Sequence, residues 1–160
     1  MGSLSILRKQ AYLYYSILTC PAIAMPSTVA AKRSIRSVLD NYVRAVETGD
    51  LGLYGRVVDH NASMVNFGTD ASERIVGWNA LKKAMQSQFS MLKGTRIAVS
   101  DATVTVAPEG RSAWATSMWA FKATMGTQAL ELPVRCSWVL EKRDGRWLIV
   151  HFHKSVGTTS

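Results

Sequence analysis

The chain is poor in the residues that usually announce a chemistry. Cysteine occurs only as Cys20 and Cys136, a spacing that matches no metal motif and is too sparse for a disulfide framework. Histidine is nearly as scarce. His151-x-His153 puts two imidazoles on one side of a strand, but no acid or third histidine lies beside them in that stretch, so neither a metal nor another cofactor is expected. No apolar run is long enough to span a bilayer, so no stable membrane insertion is expected. Acidic residues number 11 against 19 Lys and Arg, giving a formal charge of +8, and none precedes Asp40. Part of the basic excess, Arg8, Lys9, Lys32 and Arg33, sits in that acid-free lead. No Lys/Arg run or basic-aromatic interleave follows, which argues against nucleic acid as a partner.

What remains is a sequence made for burial. At 160 residues and 48% apolar content the chain suits one globular domain with a sizeable core. Residues 1–31 read as an N-terminal extension: Arg8 and Lys9 precede the apolar stretch Ala11 to Pro21, and Ala22-Ile23-Ala24 offers a small-x-small cleavage site, as in a signal peptide. If residues 1–24 are such a signal the protein is exported or periplasmic; if translation begins at Met25 it is cytoplasmic. Residues 32–160 form the expected domain.

The most informative stretch is Leu130 to Gly157. Two β-rich runs, Val134 to Lys142 and Arg146 to Ser155, flank Arg143-Asp144-Gly145, and a Gly after Asp supplies the positive φ of a tight turn. Read as a three-residue loop, the turn pairs Lys142 with Arg146, Leu140 with Leu148, Trp138 with Val150 and Cys136 with Phe152. The even-numbered face is then apolar, while His151 and His153 share the other face with Arg135, Ser137, Val139, Ile149 and Trp147. The histidines thus read as members of a polar cross-strand network.

Upstream, Ile35, Val38, Leu39, Tyr42, Val43 and Val46 recur at spacings of three and four, predicting a helix from Ser27 or Ser34 to Thr48. Asp50 caps a second helix, Leu51 to Val58. Short strands follow at Ser63 to Phe67 and Glu73 to Val76. A third helix, Trp78 to Leu92, is ended by Gly94. Thr95 to Ala107 and Ser112 to Thr124 complete a meander with the hairpin. Large apolar groups occupy both faces of Ser112 to Thr124, and the face holding Trp114 and Met118 argues for a homodimer through the open sheet. The layout is α+β, a cone-shaped fold of three N-terminal helices packed on a strongly curved, mostly antiparallel sheet.

Tyr42-Val43-x-Ala45 followed by Gly49-Asp50-Leu51, Gly77 before the third helix, Arg135-x-Ser137, and Asp144-Gly145-x-Trp147 followed by Val150-His151-Phe152-His153-x-Ser155 resemble, in this order, the nuclear-transport-factor-2-like superfamily, in its SnoaL-like and ketosteroid-isomerase-like branch. The last motif is also similar to the end of the calcium/calmodulin-dependent protein kinase association domain. The isomerase resemblance implies an oxyanion-stabilising tyrosine at Tyr42, but its proton-shuttling aspartate falls on Asn66 and its second acid near Arg135 or Ser137. An amide neither accepts nor returns a proton, so that mechanism lacks its base. The resemblance implies a cavity side at Val150, Phe152 and Lys154, and a ligand pocket of Tyr42, Asn66, Phe67, Trp78, Trp119, Trp138 and Phe152, with Lys154 at its rim facing a carboxylate. The candidates for any catalysis are Tyr42, Asn66, His151 and His153. Two functions follow. One is a domain that binds a small hydrophobic or carbonyl-bearing ligand. The alternative is an isomerase- or cyclase-type enzyme acting on a polyketide-, steroid- or terpenoid-like substrate, with Tyr42 and a non-carboxylate base.

Overall fold

A computed structural model describes residues 28–157; the export signal expected within residues 1–24 lies outside them. Three helices and six strands follow one another as α1 (Thr28–Thr48), α2 (Leu51–Val57), β1 (Val65–Phe67), β2 (Arg74–Val76), α3 (Trp78–Met91), β3 (Leu92–Val106), β4 (Ser112–Met125), β5 (Gln128–Arg143) and β6 (Arg146–Val156). None of the described helices is long and apolar enough to cross a membrane.

Local chemistry sets the helix boundaries. The Asp50 carboxylate accepts a hydrogen bond from the Leu53 N–H at 2.8 Å, satisfying one of the donors that the first turn of α2 leaves open. Gly77 precedes α3 with φ +79°, and a Cβ there would lie 2.8 Å from the Ala62 carbonyl oxygen. Only glycine meets both demands. Gly94, expected to end α3, instead lies inside β3 with φ +60°. The helix stops at Met91, and β3 carries an irregularity between Lys93 and Arg96. The Glu47 carboxylate of α1 reaches that irregularity and accepts from the Ile97 N–H at 2.8 Å, giving an edge-strand donor a partner.

The sheet runs β2-β1-β6-β5-β4-β3. All pairings are antiparallel except β1 with β6. Side chains along β4 alternate strictly, with Ala113, Ala115, Ser117, Trp119, Phe121 and Ala123 buried and the residues between them exposed. The buried face packs on the helices and forms one core with Ile35, Tyr42, Val46, Tyr54 and Leu81.

The β5–β6 hairpin departs from the expected register. Its turn is the two-residue Asp144-Gly145, both at positive φ, closing directly onto the pair Arg143 and Arg146. Lys142 therefore faces Trp147, and Leu140 faces Ile149 rather than Leu148. A bulge then removes Val150 from the ladder, so that Val139 pairs with His151 and Trp138 with Phe152. The physical reason is that one extra residue reverses which side of the strand points inward. Before the bulge Trp147 and Ile149 are buried, against expectation; after it Phe152 is buried while His153 is exposed. A two-residue turn and a continuous apolar face are thus compatible. Arg143 also tethers the hairpin tip, pairing with Asp59 at 3.1 Å and Glu141 at 2.8 Å.

Candidate functional site

A cavity of about 360 Å³ lies between the inner face of β4–β6 and α3. Trp119 and Phe121 from β4, Leu132 and Val134 from β5, and Phe152 and Lys154 from β6 form the sheet side. Leu81, Ala84, Met85, Gln88 and Met91 from α3 form the helix side, and Val46 of α1 completes it. Thr69 and Glu73, from the segment joining β1 to β2, reach the same space. This volume suits a small organic molecule, and walls that are largely apolar with a few polar groups are the usual make-up of a ligand pocket.

Lys154 is the cationic side chain of that lining. It follows Phe152 on the inward side of β6, with Cys136 of β5 as its cross-strand neighbour. Its Nζ lies 5.2 Å from the centre of the Phe152 ring. Burial holds its ammonium below the usual lysine range, an effect the nearby Cys136 and Glu73 partly oppose. Burial likewise pushes the Cys136 thiol up to about 12, so this cysteine is a neutral thiol at neutral pH. Glu73 sits tightly over Gly68, and its Oε2 accepts from the Asp70 N–H at 3.1 Å.

Next to the cavity lies a packed aromatic cluster. The Tyr42 ring lies 5.2 Å from Tyr54, 5.7 Å from Phe152, 6.2 Å from Trp119 and 6.4 Å from Trp138, measured between ring centres. Tyr42 is wholly buried, and desolvation raises its phenol well above the ordinary value. The Tyr42 and Tyr54 hydroxyls, the indole N–H groups of Trp119 and Trp138, the Ser117 hydroxyl and the Asn66 amide nitrogen are all buried without a hydrogen-bond partner.

The residues singled out from the sequence separate into three places. Trp119, Phe152 and Lys154 line the cavity. Tyr42, Trp138 and Asn66 lie in the packed interior, where the Asn66 side-chain oxygen accepts from the Phe152 N–H at 3.0 Å and so ties β1 to β6. Phe67, one residue on, turns to the opposite face of the sheet, where it meets His151 and His153 at 6.0 and 5.7 Å between ring centres. His151 Nδ1 donates to the Val65 carbonyl at 2.6 Å, which fixes that ring as a strand-to-strand tie. Trp78 stacks between Tyr54 and His60, away from the cavity lining. Among the described residues no group of three His, Cys, Asp or Glu side chains gathers as a metal site. Glu73, expected as the first residue of the second strand, instead precedes β2 at the end of a polar loop, and nothing in the sequence marks it as a site residue. Leu81, Met85 and Gln88 do carry a signal, because their spacing of four and three is that of a single helix face.

No curated protein sequence matches the chain. Solved structures do. A nuclear-transport-factor-2-like superfamily protein from Salmonella enterica serovar Typhimurium aligns with TM-score 0.75 at 18% identity, covering 84% of this chain and 96% of that one. A provisionally named calcium/calmodulin-dependent protein kinase II association domain from Xanthomonas campestris aligns with TM-score 0.68 at 21% identity, covering 80% and 89%. A provisionally named ketosteroid isomerase from Shewanella frigidimarina aligns with TM-score 0.66 at 20% identity, covering 78% and 97%. At these identities the likeness is one of fold. The family model of the SnoaL-like domain matches residues 35–159, and with the α+β architecture and sheet order described above, the chain belongs to the SnoaL-like domain family of the nuclear-transport-factor-2-like superfamily.

Proposed function

We propose that the protein is a ligand-binding domain whose helices and strongly curved sheet enclose a cone, that the cone takes a small hydrophobic or carbonyl-bearing molecule, and that two copies associate through the open sheet face. The single observation that carries the ligand reading is the apolar cavity of about 360 Å³ with one cation on its wall. Burying a flat apolar ligand against Trp119, Phe121 and Phe152 gives aromatic contact over much of its area. Assembly is supported by the outward face of the meander, where Trp114 is 50% exposed beside its cross-strand neighbour Val139, and Met118 lies further along the same strand. Exposed large apolar groups gathered on one sheet face are a common mark of an interface.

A thermal-shift screen with the full chain tests the ligand reading. Flat apolar compounds such as 1-naphthol raise the melting temperature as binding saturates. In Ala84→Phe the new ring occupies the cavity and the shift disappears. No shift in either protein overturns the reading. Light scattering on eluted protein tests assembly, with wild type dimeric and Trp114→Lys monomeric.

One observation favours a second reading, an isomerase- or cyclase-type enzyme acting on a polyketide-, steroid- or terpenoid-like substrate. Glu73 brings to the cavity the carboxylate that Asn66 does not supply. Such an enzyme exchanges the α-protons of a bound ketone with deuterated solvent, and Glu73→Gln removes that exchange. Equal exchange in both proteins rules the reading out.

A further inference from the structure

Lys154 is an amine in an unusual setting. It enters the cavity from β6 among Val134, Trp119 and Phe152, all apolar. Its Nζ lies against the Phe152 ring, and it takes part in none of the ion pairs of the described residues. The ionisable groups that bear on it are Cys136 from β5 and Glu73 from the β1–β2 segment; α1 and α3 bring only uncharged side chains to the cavity. An ammonium surrounded this way is costly, and losing its proton relieves the cost. The resulting free amine is a nucleophile in a space that admits a small molecule. The neighbouring thiol does not compete, because burial keeps it protonated.

We propose that Lys154 is an imine-forming residue that captures small apolar aldehydes and ketones inside the cavity. This rests on the ligand-pocket reading above and specifies the chemistry of that same site. The Nζ lone pair attacks the carbonyl carbon, a C–N bond forms, and the carbonyl π electrons move to oxygen, which takes up the proton released from nitrogen. In the resulting carbinolamine, a solvent proton relayed by the Glu73 carboxylate reaches the hydroxyl. Water leaves, the nitrogen lone pair closes the C=N bond, and the remaining N–H proton returns to the carboxylate. The net change is amine plus carbonyl to imine plus water, with no oxidant or reductant required.

The test traps the imine. The full chain is incubated at neutral pH with benzaldehyde and sodium cyanoborohydride, which reduces imines to stable secondary amines, and the labelled lysines are located by peptide mass spectrometry. Lys154 is expected to gain the mass of the aldehyde less one oxygen about tenfold faster than Lys82 and Lys83, which are exposed on α3. Lys154→Arg, which keeps the charge and much of the bulk, loses this label, and 1-naphthol slows it in wild type by occupying the cavity. Labelling of Lys154 no faster than that of Lys82 and Lys83, while 1-naphthol still raises the melting temperature, overturns the imine site and leaves the pocket standing. Absence of both selective labelling and a 1-naphthol shift overturns the two together.

Discussion

The inner face of β4, β5 and β6 has a packed end and a hollow end, and the same strands build both. Toward the β5–β6 turn the helices send aromatic rings onto the sheet: Tyr42 and Tyr54 fill the space over Trp138 and Phe152. Toward the β4–β5 turn the facing helix is α3, which presents Leu81, Ala84, Met85 and Gln88 to the same sheet. Its aromatic residues, Trp78 and Phe89, turn instead toward Tyr54. The comparison teaches that the sheet does not decide where a ligand fits. The helix opposite it does, through the bulk of the side chains it contributes, because close packing leaves room only where large groups are withheld.

The largest expected effect comes from breaking the packed end. Tyr42→Ala removes its central ring and lowers stability by about 3–5 kcal/mol, read from denaturant unfolding. The vacated space makes that end resemble the hollow one, so the variant gains a 1-naphthol shift even in the Ala84→Phe background. Tyr42→Phe keeps the ring and deletes a hydroxyl that makes no close hydrogen bond, its polar neighbour being the Tyr54 hydroxyl. Its stability stays within about 0.5 kcal/mol of wild type or rises, because no hydrogen bond is lost.

Smaller effects sharpen the contrast. Lys154→Met replaces a cation facing apolar walls and stabilises the protein at neutral pH by about 1 kcal/mol, measured in the same unfolding experiment. The two ends also differ in their response to alkali. At the packed end and its border the Cys136 thiol is raised from 9.0 to about 12, and the Tyr42 and Tyr54 phenols are raised as well. These groups keep their protons longer when folded, so their contribution is complete below pH 9.0 and is lost as pH climbs toward about 12. Lys154 has the opposite sign: its folded pKa lies below the ordinary 10.5, so its penalty is complete below the folded value and fades as pH rises toward 10.5. Melting curves between neutral pH and pH 12 therefore show a net alkaline loss for wild type, and the loss is steeper in Lys154→Met, which lacks the compensating group. Equal slopes in the two proteins contradict this assignment.

The elements were largely legible in the sequence, because each rests on a local rule. The three-and-four spacing from Ile35 to Val46 marks α1, the Asp50 cap opens α2, and the alternation from Ala113 to Ala123 marks β4. The hairpin register was not legible, since the choice of a three-residue turn assumed an unbroken ladder and Val150 gives no local sign of being left out of one. The site was legible only in part. Trp119, Phe152 and Lys154 follow from strand parity, whereas Tyr42 and Trp138 show the limit of reading aromatics as pocket walls: large rings close space as readily as they line it. Glu73 reaches the cavity through the path of a loop, and loop paths are set by tertiary contacts that a single sequence does not display.

The bulge at Val150 works on β6 as a change of reading frame. A strand is read two residues at a time, one inward and one outward, and a single extra residue shifts every later position into the other frame. Trp147 and Ile149 are read inward in the first frame; Phe152 and Lys154 are read inward in the second. Ironing out the bulge with Val150 kept in the ladder would turn His151 and His153 toward the helices, or else expel Trp147 and Ile149 to the surface, whereas deleting Val150 would leave a regular strand with Trp147, Ile149, Phe152 and Lys154 all still inward. One residue with no partner in the ladder therefore governs the address of the four that follow it, including the amine of the cavity.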